Sequence, residues 1–155
     1  MSRAFVNEDN AAAQADQPVE RQVSTQPNYV TPQGLAQLQA KVAALQTAQA
    51  DKQRLADLQR DLRYFTQRLG SAQVAVAATS TDKVQIGSRV TYADEHDTEH
   101  RVQLVGEDQA DASQGLINRA SPLGRALLGA RLNDEVLWQR PAGDQIIEVI
   151  RIEPA

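Results

Sequence analysis

Hydrophobic residues recur at helical spacing in two neighbouring segments of the N-terminal half of the chain. The first segment has four of them, at intervals of three, four and three residues: Leu35, Leu38, Val42 and Leu45. The second segment repeats this rhythm with Leu55, Leu58, Leu62, Phe65 and Leu69. This is the spacing of a coiled-coil seam, so the pattern predicts two helical arms.

The two seams are not in phase with each other. The pattern slips by one residue between Leu45 and Leu55, and the polar stretch QTAQADKQR between them contains neither glycine nor proline. One long bent helix and two antiparallel helices with a tight turn both fit these residues. A hairpin would let each seam bury against the other, whereas a lone helix would need a partner. The turn of such a hairpin would fall within residues 46–54.

The helical region has recognisable ends. Thr31 is a good N-cap, Pro32 suits the first helical position, and Gly70 closes the second arm. Residues 1–28 are rich in Gln, Ala, Asp, Asn and Ser, and their few apolar side chains cannot offset the entropy of ordering. We therefore expect a disordered tail over residues 1–28, a helical region with a linker over 29–78, and a separate unit over 79–155.

From Lys83 onward the hydrophobic period becomes that of β-strands. Four segments show it, QIGSRVTYA, HRVQLVG, EVLWQR and DQIIEVIRIEP, and the PAGD turn before the last one is typical of a hairpin. The stretch SPLGRALLG interrupts them with a short helix, capped by Ser121, begun at Pro122 and ended by Gly129. Its leucines give an apolar face that a sheet could bury: Leu123, Leu127 and Leu128. The predicted class is α+β, a helical region followed by a small antiparallel sheet with one packed helix.

Composition and charge narrow the function classes. The 155 residues include no cysteine, which excludes disulfides, thiolate zinc sites and a cysteine nucleophile. No apolar run is long enough for a membrane span and no signal-peptide pattern is present, so we expect a cytoplasmic protein. The formal net charge is −4, yet residues 30–70 carry six basic and three acidic side chains. A solvated helix face explains such a segment more often than contact with nucleic acid does.

Two acidic clusters lie between the predicted strands. The stretch YADEHDTEH places His96 and His100 four residues apart, which on a helix would suit a metal ion, but between two strands it is typical of an exposed hairpin loop. The stretch GEDQADASQG does not match a calcium-binding loop. The sequence has no phosphate-binding glycine loop and no nucleophile elbow, and Trp138 is most simply a core residue. We expect no enzymatic activity, no metal site and no cofactor.

The residues from Gly106 to Glu153 resemble the C-terminal domain of the bacterial Gre transcription elongation factors (GreA/GreB). The VGEDQAD loop, the isoleucine before Ser-Pro, the Ala-Leu-Leu-Gly helix end and the Pro-x-Gly hairpin follow the family's order, and SPLGRALLG is the specific part. Upstream, YVTPQGLAQLQ and LGSAQVAV resemble the start and the exit of the family's helical hairpin. The resemblance covers about residues 29–155 and implies an FKBP-like C-terminal domain joined to an antiparallel coiled coil.

The resemblance also implies a partner and a docking surface. Family members dock the C-terminal domain on the rim of the RNA polymerase secondary channel and send the coiled coil inward, which brings it near nucleic acid in the complex. The contact residues implied here surround the start of the short helix: Ala120, Ser121, Pro122, Leu123 and Arg125. Some members have an acidic or amide residue before Ser-Pro, whereas Ala120 offers neither. We expect a monomer that binds polymerase and does not bind a membrane.

The hairpin departs from the cleavage-stimulating members of the family. Their long arms end in an acidic Asp-x-x-Glu-type tip that helps to hold a catalytic magnesium ion, whereas each arm here would span only about 22 Å. The coiled-coil tip offers these charged residues: Asp51, Lys52, Arg54 and Asp57. One carboxylate among cations is a poor magnesium ligand set. In this respect the chain is similar to short-hairpin Gre-related regulators, such as the regulator of nucleoside diphosphate kinase, which do not stimulate cleavage.

These observations favour a non-enzymatic regulator of transcription elongation that binds RNA polymerase and partly occupies its secondary channel with a short basic hairpin. One alternative is a cleavage-stimulating Gre factor that acts through Asp51 or Asp57. Another is a polymerase-independent interaction module whose coiled coil recruits a second helix. A stable dimer formed through residues 31–69 would favour that last alternative.

Overall fold

The computed structural model describes residues 19–48 and 51–155. Most of the predicted tail, residues 1–18, therefore lies outside the described residues. Residues 19–28 have no regular secondary structure and lie along the second helix, where Glu20 pairs with Arg63 and Arg21 pairs with Asp61. The division of the chain at residues 28 and 78 stays a prediction.

Two α-helices form the N-terminal hairpin. Helix α1 spans Pro32–Thr47 and helix α2 spans Lys52–Ser71, so two helices rather than one bent helix account for the two seams. The start of α1 and the last turns of α2 both contact the 3-10 turn Glu107–Gln109. The start of α1 and the end of α2 therefore lie at the same end of the hairpin, which means that the two helices run antiparallel.

Side-chain caps set the start of each helix. Thr31 Oγ1 accepts a bond from the backbone N–H of Gly34 at 3.0 Å, as predicted, and Asp51 Oδ1 accepts one from the N–H of Arg54 at 3.0 Å. Helix α2 continues past Gly70, the predicted end, to its next residue. The turn falls between residues 47 and 52, inside the predicted interval, and residues 49 and 50 lie outside the described residues.

The two seams are buried unequally. Leu38 and Val42 of α1 are buried, whereas Leu55 near the tip is 43% exposed. The other seam residues of α2 are half-buried, and the buried side chains among those described for that helix are Tyr64 and Arg68. These two precede seam residues by one position, so they turn a second face of α2 toward the rest of the molecule.

Seven strands lie in the described part of the chain. In sequence order they are β1 (Tyr29–Val30), β2 (Gln73–Val74), β3 (Arg89–Ala93), β4 (Glu99–Val105), β5 (Leu116–Asn118), β6 (Glu135–Trp138) and β7 (Gln145–Glu153). Strands β1 and β2 pair in parallel at the base of the hairpin. The other five form one sheet in the spatial order β5-β4-β3-β7-β6.

The four predicted strands are confirmed as β3, β4, β6 and β7, and both predicted hairpin turns are present. Asp97 lies in the first turn with φ 59°, and Gly143 lies in the second turn with φ 123°. Both residues have the positive φ that tight turns often need. Strand β5 is not predicted, since three residues are too few to show a period. It pairs in parallel with β4, so the prediction of a purely antiparallel sheet is wrong at this edge.

Helix α3 (Pro122–Leu127) packs against one face of the sheet, as predicted. Gly129, with φ 82°, follows its end. The core between α3 and the sheet consists of buried apolar residues: Val84, Val90, Tyr92, Val102, Leu104, Leu123, Leu127, Ala130, Ile147, Val149 and Ile152. Trp138 packs half-buried at its margin. Within residues 19–48 and 51–155, no helix is long and apolar enough to cross a membrane.

Candidate functional site

The start of α3 is held by a local set of hydrogen bonds. Ser121 Oγ accepts from the backbone N–H of Gly124 at 3.1 Å and donates to the carbonyl oxygen of Asn118 at 2.6 Å. Asn118 Oδ1 accepts from the N–H of Ala120 at 2.9 Å. Gly124 leaves no space for a side chain, because a Cβ there would lie 2.2 Å from the Asn118 carbonyl oxygen. Residues 118–125 therefore form a rigid corner, which we call the α3 corner.

The α3 corner contains all five contact residues that the resemblance implies, but it presents them differently. Pro122 and Arg125 are exposed, and Ala120 and Ser121 are half-buried. Leu123 is only 7% exposed and belongs to the core. Its side chain supports the corner from the inside, so the surface open to a partner consists mainly of Pro122 and Arg125.

An open groove of about 970 Å³ adjoins the α3 corner. Its lining includes apolar and aromatic side chains, namely Tyr92, Val102, Ile117, Pro122, Leu123 and Trp138. The rings of Tyr92 and Trp138 meet edge to face with their centroids 6.3 Å apart, and the guanidinium of Arg140 lies 5.1 Å from the Trp138 centroid. Burial raises the pKa of Tyr92 above its ordinary value. A groove of this composition suits an apolar segment of another protein.

A buried arginine joins the hairpin to the sheet. Arg68, with 2% of its side chain exposed, donates from Nε to Asp108 Oδ2 at 2.6 Å and from Nη2 to Asn28 Oδ1 at 2.8 Å. Asn28 Nδ2 donates in return to the carbonyl oxygen of Arg68 at 2.7 Å. Glu107 Oε2 lies 3.5 Å from Arg68 Nη2. A guanidinium taken out of water needs such partners, because an unpaired buried charge is strongly destabilising.

Two further side-chain bonds connect the helices to the same 3-10 turn. Tyr64 Oη donates to Asp108 Oδ1 at 2.6 Å, and burial together with this bond to a carboxylate raises the pKa of Tyr64 to about 12. Thr31 Oγ1 donates to Gln109 Oε1. We call the bonded set the hairpin junction: Asn28, Thr31, Tyr64, Arg68, Asp108 and Gln109.

Two closely packed glycines adjoin the hairpin junction. A Cβ at Gly106 would lie 2.5 Å from the carbonyl oxygen of Tyr29, and one at Gly34 would lie 2.8 Å from Gln109 Oε1. Neither approach is open to a residue with a side chain unless the neighbouring atoms move. The hairpin and the sheet are therefore in direct contact at this place.

Arg119 connects the hairpin junction to the α3 corner. Its Nη2 donates to the carbonyl oxygen of Pro27, and its guanidinium lies 4.9 Å from the ring centroid of Tyr29. Pro27 and Tyr29 flank Asn28, the residue that bonds Arg68. The segment 27–29 is therefore held by the corner on one side and by α2 on the other.

The predicted tip residues lie exposed at the far end of the hairpin: Asp51, Lys52, Arg54 and Asp57. Asp51 is engaged as the N-cap of α2, and Asp57 Oδ1 lies 3.5 Å from Arg60 Nη1. Both carboxylates thus already have a partner within their own helix.

The acidic stretch between β3 and β4 forms local bonds. Asp94 Oδ2 lies 2.8 Å from His100 Nε2, while Asp94 Oδ1 accepts from the backbone N–H groups of His96 at 2.8 Å and Thr98 at 3.0 Å. The bond from His100 holds the pKa of Asp94 below its ordinary value. In the described part of the chain, the structure places no group of three or more His, Asp or Glu side chains so that they could hold a metal ion.

The hairpin junction is not singled out by the sequence analysis. Arg68 counts there as one of six basic residues of a helical segment, and Asp108 as part of an acidic loop. One signal is present, because Tyr64 and Arg68 are four residues apart and so share one face of α2 beside the seam. Their partners lie about 40 residues away in sequence, and no local pattern identifies them.

Comparisons with known proteins point to one family. The family model described as "Transcription elongation factor, GreA/GreB, C-term" matches residues 79–154. The transcription elongation factor GreA of Hyphomonas neptunium is 31% identical over 147 residues, which cover 94% of this chain and 93% of that protein. GreA of Sphingopyxis alaskensis is 39% identical over 105 residues, 67% of this chain and 66% of that protein. The match thus spans slightly less than two thirds of the Sphingopyxis relative.

Among solved structures, the chain is similar to GreA factor homolog 1 (Gfh1) of Thermus thermophilus. The two are 20% identical, the alignment covers 83% of this chain and 99% of that one, and the TM-score is 0.43. No inference about function follows from a likeness of this degree.

Proposed function

Because the chain belongs to the GreA/GreB family of transcription elongation factors, we propose that it regulates elongation by binding RNA polymerase through the α3 corner and the adjoining groove. The observation that carries this proposal is the exposed Pro122 on a rigid corner beside an apolar groove. A groove lined largely by apolar and aromatic side chains is a common place for a partner to bind. The whole protein's partner and activity are part of this proposal.

The rim of the polymerase secondary channel is the docking place we propose, with the hairpin directed into the channel. Helix α2 has 20 residues and is about 30 Å long at the helical rise, which is longer than the roughly 22 Å expected for each arm from the seam residues. Its exposed basic side chains near the tip, Lys52 and Arg54, would come close to the negatively charged nucleic acid of the complex. In this proposal the protein acts in the cytoplasm as a monomer, and residues 79–155 have the FKBP-like arrangement that the family resemblance implies.

We also propose that the chain catalyses no reaction and does not stimulate transcript cleavage. Asp51 is engaged in capping α2 and Asp57 in pairing with Arg60. Magnesium binds best to several free oxygen ligands, and here the two carboxylates share the tip with Lys52 and Arg54. The protein would therefore modulate the polymerase by filling space near its channel and by placing charged side chains there.

The experiment is an elongation assay with core RNA polymerase on a template with defined pauses. Purified protein is expected to change pause lifetimes, and Pro122→Arg is expected to weaken that effect by about tenfold, because a charged side chain replaces an apolar contact. Leu137→Arg is the matched control, since Leu137 is an exposed apolar residue that does not line the groove. A wild-type protein without effect, or equal effects of wild type and Pro122→Arg, would contradict the proposal.

Stalled, backtracked complexes in the same assay test cleavage. The wild-type protein is expected to leave their transcripts intact. If it shortens them, the chain is a cleavage-stimulating factor and this part of the proposal is wrong; loss of the shortening in the double variant Asp51→Asn, Asp57→Asn would assign it to these two carboxylates.

A further inference from the structure

The direction of the hairpin depends on the contacts at its base. Strands β1 and β2 pair with each other, so they close the base of the hairpin and do not join it to the five-stranded sheet. The described contacts with the sheet side include the side-chain bonds to the 3-10 turn Glu107–Gln109, the bond of Arg119 to Pro27 and the close approach of Gly106 to Tyr29. The side-chain bonds therefore contribute to the orientation together with this packing.

Arg68 is placed to contribute to this orientation. Its guanidinium bonds an acceptor on the sheet side, Asp108, and an acceptor in the segment before α1, Asn28. The guanidinium is planar and its donors have fixed directions, so both bonds can be made only within a narrow range of hairpin angles. With 2% of the side chain exposed, water cannot replace a lost partner without opening the junction.

The α3 corner is tied to the same place. Arg119 lies in the corner and donates to the carbonyl oxygen of Pro27, next to Asn28. The corner, the segment 27–29 and α2 thus form one connected series of polar contacts that ends at Arg68.

We propose that Arg68 is a positioning residue: its bonds to Asp108 and Asn28 fix the direction in which the hairpin leaves the sheet. The bond from Arg119 to Pro27 ties the base of the hairpin to the α3 corner, so this direction is fixed relative to the corner. A partner that holds the corner would then meet the hairpin at a set angle. The orientation itself is a property of the isolated protein, and only its consequence for polymerase rests on the proposed function.

Distances between spin labels test the orientation directly. The chain has no cysteine, so two labels can be attached at introduced ones. Ala44→Cys on α1 and Glu148→Cys on β7 are both exposed and belong to neither the hairpin junction nor the α3 corner. The labelled protein is expected to give one narrow distance distribution.

Arg68→Gln is expected to broaden that distribution by about twofold or more, because the hairpin then samples several angles. Arg68→Lys, which keeps the charge, is expected to restore part of the narrow component. Arg63→Gln is the matched control, since Arg63 lies on the same helix, is 58% exposed and pairs only with Glu20 among the described ion pairs. Its distribution should equal that of the parent. A narrow, unshifted distribution in Arg68→Gln with normal helix content would overturn the proposal.

A second variant covers the case in which Arg68→Gln loses its helices. Arg119→Gln removes the bond to Pro27 without leaving a buried charge unpaired, so the fold should persist. It is expected to broaden the distribution less than Arg68→Gln does. If Arg68→Gln unfolds the hairpin and Arg119→Gln leaves the distances unchanged, Arg68 is only a structural residue and the proposal fails.

Polymerase assays separate this inference from the proposed function. Arg68→Gln is expected to bind core polymerase within about threefold of wild type while its effect on pausing falls by about tenfold. Equal losses of binding and effect would contradict a positioning role. If the wild-type protein does not bind polymerase at all, the proposed function fails, whereas the spin-label result still decides the role of Arg68.

Discussion

At the scale of single residues, Tyr64 of the hairpin junction has a pKa well above the ordinary value of a tyrosine. Its phenol is buried and donates to Asp108, and its pKa rises from 10.0 to about 12. The folded protein therefore keeps a proton between these pH values that the unfolded chain releases. The resulting stabilisation is complete below pH 10 and is lost as the pH rises toward 12.

We predict that the free energy of unfolding of the wild type falls by about 2 kcal/mol more than that of Tyr64→Phe as the pH rises through this range. Urea titrations at several pH values, followed by circular dichroism, measure it. Subtracting the unfolding free energies of the two proteins at each pH cancels the contributions of other tyrosines and of lysines. Parallel pH curves for the two proteins would show that the Tyr64 phenol is not held neutral by the junction.

Position 124 requires glycine because the α3 corner has no room for a side chain there. A Cβ would meet the Asn118 carbonyl oxygen at 2.2 Å, so Gly124→Ala is expected to cost about 2–3 kcal/mol of unfolding free energy through displacement of the α3 corner. Gly70→Ala is the control, because nothing lies within 4 Å of its Cβ position inside α2. That substitution is expected to stabilise by about 0.5–1 kcal/mol. Thermal unfolding of both variants checks the prediction, and a similar sign for both would contradict it.

At the scale of elements, the hairpin shows what periodicity can and cannot predict. The spacing of apolar residues identifies both helices and the position of the turn, because it is a local property. The spacing predicts the same burial for every seam residue, although Leu38 is buried and Leu55 is 43% exposed. The difference follows the position along the hairpin, because Leu38 lies inside α1 whereas Leu55 lies in the first turn of α2, beside the tip.

This difference predicts unequal costs for two identical substitutions. Leu38→Ala is expected to lower the unfolding free energy by about 2–4 kcal/mol, since it leaves a cavity under the hairpin. Leu55→Ala is expected to cost less than about 1 kcal/mol. Chemical denaturation followed at the helical circular dichroism band measures both. Equal costs would mean that the tip is as well packed as the base.

The sheet gives a similar lesson. Alternation predicts β3, β4, β6 and β7, and the turn chemistry around Asp97 and Gly143 predicts their hairpins. Strand β5 is not predicted because its three residues take their strand conformation from pairing with β4, not from their own pattern.

At the scale of the whole molecule, the relation between the hairpin and the sheet was beyond prediction from the sequence. It depends on pairs such as Arg68 with Asp108 and Thr31 with Gln109, which are 40 and 78 residues apart. Each partner by itself is an ordinary surface residue type, so only the folded chain identifies them. The α3 corner was predictable in contrast, because Ser121, Pro122 and Gly129 follow local capping rules.

We propose that the rigid α3 corner and the apolar groove beside it bind core RNA polymerase, and this contact is the central claim. A fluorescent dye on an introduced cysteine at Glu148 allows the affinity to be measured by anisotropy.

The measurement is a titration of the labelled protein with core polymerase, for the wild type and for the double variant Ser121→Ala, Pro122→Ala, with Trp138 fluorescence as the check that both are folded. We predict saturable binding of the wild type and an affinity lower by about tenfold or more for the double variant. No binding by the wild type, or equal affinities of the two folded proteins, would contradict the central claim.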